Sequence, residues 1–309
     1  MRKESRVAAL LALAGGVLAI SWSAIFVRWA KMPGVASAFY RTLIATVVLW
    51  PLLPFIGSER RGRARQPLTR RTIWIAVAGG IFFAGDLGFW NVAVMHTSAG
   101  NATFLSNVSP LFVGLFSWAF TRKIPSLRFW MALCVGFAGS CLIVVADLHH
   151  AFSRSSADLL AVLAAICFAL YLVITGLLRE KVDAALLLTL STTASAVTLL
   201  VWAVGGRISL AVPGAGSWWA LLALGLVCQV GGYFGLTYAL GHLPATVTSI
   251  LWLMIAPLTS IFAWMIFGER MGPMEITGGL LIIAGVWIVG RRERAARVEE
   301  TAVPPVAQV

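Results

Sequence analysis

"IWIAVAGGIFFAGDLGFWNVAVM", residues 73–95, decides how the rest of the chain is read. Apart from Asp86 and Asn91, every residue in it is apolar or glycine. As a helix rising 1.5 Å per residue it reaches about 35 Å, enough to cross a hydrocarbon core of about 30 Å. Asp86 then lies about halfway across, where a carboxylate costs roughly 2.5–3.5 kcal/mol on insertion scales. A charge kept at that depth needs a partner or a wet cavity, and is a functional candidate by default.

The composition agrees with a membrane span. The chain is 60% hydrophobic and only 12% charged, against about 25% charged in ordinary soluble domains. Thirteen Trp and 29 Gly suit a polytopic protein, with aromatics at the interfaces and small residues where helices approach. The net charge of +12 is scattered between apolar runs rather than gathered on one basic face. It therefore reads as a set of topology determinants and speaks against nucleic acid as a partner. Cys134, Cys141, Cys167 and Cys228 lie inside apolar runs without a CxxC, so neither a metal site nor a disulfide framework is expected.

Scanning for runs of about 20 apolar residues predicts ten helical spans, at roughly 7–27, 35–56, 73–95, 99–120, 129–146, 157–178, 184–204, 217–240, 244–267 and 274–290. The runs are too long, and alternate too little, for membrane strands. With the N-terminus inside, 18 of the 24 Lys and Arg fall on the inner side and five on the outer, while Arg41 lies within the second span. This bias predicts that both termini face the cytoplasm. The end of the chain, 293–309, is expected to be a disordered extension.

The chain also resembles itself. "AISWSAIFV" from Ala19 aligns with "AICFALYLV" from Ala165, Gly85 with Gly232, Pro110 with Pro257 and Gly139 with Gly285, at a nearly constant offset of 146–147 residues. Two halves of five spans, 1–150 and 151–292, follow. Because five is odd, the second half enters the membrane upside down, an inverted repeat typical of secondary transporters. "FVRWA…ASAFYRTLIA", "MHTSAGNATFLSNVSPLF", "APLTSIFAWMIFGERM" and "GGLLIIAGVWIVG" are similar to EamA-type members of the drug/metabolite transporter superfamily over about residues 7–290. That resemblance implies a ten-helix fold and transport of small metabolites, without selecting a substrate.

Candidate site residues follow from depth and periodicity. Arg41, near 9 Å below the outer end of its span, and Asp86, near 14 Å, are within side-chain reach of each other. They are expected to pair, either as a structural ion pair or as the charges that hold substrate or a proton. Trp90 and Asn91 follow Asp86 on the same span. Thr103, Ser106, Asn107 and Pro110 share one helical face; their counterparts Ile250, Leu253, Met254 and Pro257 keep the proline and lose the polar atoms. Pro110 and Pro257 are expected kink points. Gln229 and Tyr233, with Trp252 on the next span, make a second group, and Tyr233 aligns with Asp86; Trp22 and Tyr171 lie on the aligned first and sixth spans. Gly231 and Gly235 form a GxxxG, read as helix packing.

No HExxH, GxSxG or P-loop occurs, so an intramembrane enzyme is disfavoured. The expectation is a secondary transporter of the bacterial inner membrane that exports small polar or amphipathic metabolites such as amino acids. The alternatives are a facilitator or uptake carrier of the same fold, or a non-transporting accessory subunit. Its partners would be substrate, lipid and, as candidate coupling ion, a proton. It would use no cofactor or metal and would be a monomer or weak homodimer.

Overall fold

The computed structural model describes residues 3–56, 68–96, 108–122, 124–147, 155–179, 181–268 and 272–302, and among these there is no strand. Seven helical segments are long and apolar enough to cross a membrane: Arg6–Ala30, Gly34–Phe55, Arg70–Met95, Leu159–Leu178, Ala184–Gly205, Ala215–Leu240 and Ala245–Phe267. Three shorter apolar helices, Ser109–Thr121, Leu127–Leu142 and Ile276–Ile288, take the fourth, fifth and tenth places in chain order. The protein is an all-helical polytopic membrane protein.

The principal packing pairs join the third span to the sixth and seventh, the second to the seventh and eighth, and the first to the eighth and ninth. The fourth also packs on the sixth and ninth, and the fifth on the tenth. Renaming each span of the first half as its counterpart five places on, and the reverse, returns the same set of pairs. The internal sequence similarity therefore has a tertiary equivalent in the pairs that join the halves, although the second and third spans of the first half also pack on each other.

Close approach is bought with missing side chains. A Cβ on Gly16 would lie 2.6 Å from the Gly232 carbonyl oxygen, and one on Gly235 would lie 2.2 Å from that of Ala12. The packing pair on the eighth span is thus Gly232 and Gly235, whereas Gly231, expected from the GxxxG, is exposed and meets only Leu226 of its own span. The reason is local winding. Leu224–Gly232 is π-helical, and its wider turn shifts the register, so spacing that assumes a regular α-helix picks the wrong glycine.

Hydroxyls that would be costly in hydrocarbon bond backward within their own helices. Thr189, Ser191 and Ser195 each donate to the carbonyl four residues earlier, and Ser195 also lies 2.7 Å from the Gly80 carbonyl oxygen on the third span. Such bonds satisfy polar atoms where water is absent.

Two spans are broken. The first is interrupted at Trp22, between helices Lys3–Ser21 and Ser23–Ala30. The ninth is interrupted at Leu253–Met254, between Ala245–Trp252 and Ile255–Phe267. Pro257 has no N–H for the Leu253 carbonyl, which accepts from Ala256 instead, at 3.2 Å. The expected bend at this proline is therefore a break just upstream of it. Pro110 stands in the first turn of Ser109–Thr121, a position that suits proline, rather than in the middle of a described helix. The last helix runs Pro273–Ala302, so helix continues through 293–302 where a disordered extension was expected.

Candidate functional site

The break in the first span prepares the site. At Trp22 the chain leaves the regular helix, and the Ser21 carbonyl accepts a hydrogen bond from Thr259 of the ninth span at 3.0 Å. The helix resumes at Ser23, whose buried hydroxyl accepts from Arg41 Nη1 at 2.9 Å. On the other side, Arg41 Nε donates to Gln229 Oε1 at 2.8 Å. Gln229 sits in the π-helical stretch and reaches Thr192 of the seventh span at 3.5 Å. The guanidinium also stands over the Tyr233 ring, 5.3 Å from its centroid. Arg41 is only 1% exposed, and its Nη2 has no hydrogen-bond partner.

Asp86 lies close by, 9% exposed. The expected direct ion pair is not formed, since no Asp86 oxygen comes within 4.0 Å of Arg41. The physical reason lies in the partners of Arg41. Two neutral acceptors and an aromatic face hold the cation without cancelling its charge. Both charges line one cavity. Ser23, Asp86, Ser109 and Thr259 supply its polar lining beside Arg41, and Trp90, Phe168, Tyr233 and Trp252 its aromatic walls. The walls form a chain of rings, with Phe168 5.2 Å and Tyr233 5.7 Å from Trp252, centroid to centroid. Charged groups set among apolar and aromatic walls are the usual makeup of a small-molecule site.

Of the residues singled out from sequence, Arg41, Asp86, Trp90, Tyr233 and Trp252 meet in this cavity. Gln229 stands behind it as the support of Arg41. Tyr171 is fully buried, stacked 4.5 Å from Phe83, which in turn lies 4.6 Å from Tyr233. It backs the wall without forming it. Asn91 faces elsewhere and donates to the Gly34 carbonyl and the Ser37 hydroxyl, pinning the third span to the start of the second. Trp22 stacks on Phe262 at 4.6 Å, outside the cavity lining. Thr103, Ser106 and Asn107 lie outside the described residues. Sequence reasoning missed Ser23, Ser109, Phe168 and Thr259. Two of these had a usable signal, because Ser23 aligns with Ala169, a polar atom present in one half only, and Phe168 is the aligned counterpart of Trp22.

Comparison with known proteins adds the family. The model of the EamA-like transporter family matches residues 7–145 and again 155–291. An uncharacterized transporter of Archaeoglobus fulgidus is 26% identical over 94% of this chain and 99% of its own length. The pseudopaline exporter CntI of Pseudomonas aeruginosa is 26% identical over 86% of this chain and 89% of its own. A solved crystal structure shares the fold with a TM-score of 0.75 at 17% identity, over 93% of this chain and 98% of the other.

Proposed function

Because the chain belongs to the EamA-like transporter family, we propose that it exports small polar or amphipathic metabolites, amino acids among them, across the bacterial inner membrane by alternating access. The observation that carries this reading is the cavity in which Arg41 and Asp86 both take part without being paired to each other. A purely structural pair of buried charges gains most from direct contact, whereas charges held apart and facing one space suit a ligand.

The two halves, 1–150 and 151–292, act as inverted repeats that rock about this cavity. The breaks at Trp22 and Leu253–Met254 and the π-helical stretch supply the places where helices give. Supporting export is the relative named as an exporter. The excess of Lys and Arg on one side supports cytoplasmic termini. Asp86 is the group on which a proton would couple to transport.

Liposome counterflow with the purified chain tests the reading. Vesicles preloaded with one amino acid, sugar or nucleoside at a time should accumulate the labelled form of at least one of them. A pH gradient should drive that uptake, and Asp86→Asn should abolish the response to the gradient while leaving some passive exchange. Absence of counterflow across the whole panel would reject a transporter of such metabolites. Unchanged gradient-driven uptake in Asp86→Asn would reject Asp86 as the proton site.

A further inference from the structure

The site carries more information than the presence of two charges. Arg41 is fixed on two of its three nitrogens, by Gln229 and Ser23, and its remaining Nη2 is buried and unpartnered. Asp86 lines the same cavity and has neither a hydrogen bond nor an ion pair to any described residue. A guanidinium with a free NH₂ group is a donor suited to a carboxylate or similar anion. A carboxylate with no donors is an acceptor suited to an ammonium.

We propose that the cavity takes a zwitterion, with its anionic group on Arg41 Nη2 and its ammonium on Asp86. This rests on the cavity being the ligand site of the protein. Electrostatics then sets the selection rule. Protein cation and protein anion already balance, so a net-neutral ligand with separated charges completes both at once. A ligand with only an anion must approach Asp86, and one with only a cation must approach Arg41. Each leaves one fixed charge in a low-dielectric space without a partner. Rejection of singly charged molecules is thus built in by repulsion as well as by missing contacts. Trp252 and Phe168 provide a flat apolar wall for the rest of such a ligand.

The purified full-length chain in detergent is heated with L-leucine, L-phenylalanine or 4-aminobutanoate. Each is run beside its deaminated acid (4-methylpentanoate, 3-phenylpropanoate, butanoate) and its decarboxylated amine (3-methylbutylamine, phenethylamine, propylamine). At least one zwitterion should stabilise the fold, and both of its analogues should need about tenfold or more concentration for the same shift, as for sites that reject a ligand lacking a required polar group. In Asp86→Asn the advantage of the zwitterion over its deaminated acid should vanish, while its advantage over the amine remains. An analogue that matches its zwitterion, or no stabilisation by any of the three, overturns the proposal. Counterflow of the same compounds separates this from the transport reading. Stabilisation without counterflow of any compound would keep the zwitterion and reject transport. Counterflow of singly charged or uncharged compounds alone would keep transport and reject the zwitterion.

Discussion

In the fourth span, helix Ser109–Thr121 closes at Arg122 in the left-handed conformation, φ 58°, with its N–H on the Trp118 carbonyl. In the ninth span, 146 residues later, helix Ile255–Phe267 closes at Gly268, φ 67°, with its N–H on the Trp264 carbonyl. The backbone device is the same although the residue differs. At the cavity the relation is reversed. Asp86 has Tyr233 as its counterpart, and Gln229, which holds Arg41, has Phe82. Helix packing constrains both halves alike, because most of the large interfaces join one half to the other. A cavity lined from both halves needs each charge only once, so its counterpart positions differ.

The glycines sharpen this comparison most. Gly88 and Gly235 are counterparts. A Cβ on Gly235 would strike the Ala12 backbone carbonyl at 2.2 Å, while one on Gly88 would strike the ring of Trp202 at 2.4 Å. Backbone held by two helices cannot give, whereas a ring at the end of a side chain can turn. Gly235→Ala should therefore cost about 3 kcal/mol or more and Gly88→Ala about 1 kcal/mol, read as thermal unfolding of the purified protein. Equal losses would mean that the two interfaces are equally rigid.

A smaller effect is expected at Gln229. Removing its amide leaves Arg41 Nε without an acceptor in a buried place. Gln229→Ala should lower stability by about 1–2 kcal/mol and impair transport. Phe82→Leu, at the counterpart position, should cost less than about 1.5 kcal/mol and leave transport intact. If both variants lose transport equally, the two counterpart positions do not differ in role.

The smallest effect concerns the caps. Arg122 holds a conformation that costs a non-glycine residue about 1–2 kcal/mol, partly offset by the lower entropy of its unfolded chain. Arg122→Gly should raise stability by up to about 1 kcal/mol and Gly268→Ala should lower it by a similar amount. A loss on Arg122→Gly would show that the arginine side chain contributes more than its backbone costs.

Run length and the 146–147 offset were enough to read ten helical segments and their arrangement in two related sets. These are one-dimensional properties, because a span answers to lipid residue by residue. Depth along a span was legible for the same reason, which is why Arg41 and Asp86 could be placed near each other, while spacing and the repeat picked out Tyr233 and Trp252. Which way a side chain turns was not. That depends on breaks and winding set by neighbours. Thr259 donates to the Ser21 carbonyl, and Ser23 lies beside Arg41. The π-helical stretch Leu224–Gly232 carries Gln229 and shifts the packing glycine from Gly231 to Gly232. The same neighbours turned Asn91 away to Gly34 and Ser37. The charged residues could be picked from sequence, since charge in hydrocarbon is costly wherever it points. That Arg41 would be held by the neutral partners Gln229 and Ser23 rather than by Asp86 was decided by contacts between helices far apart in the chain.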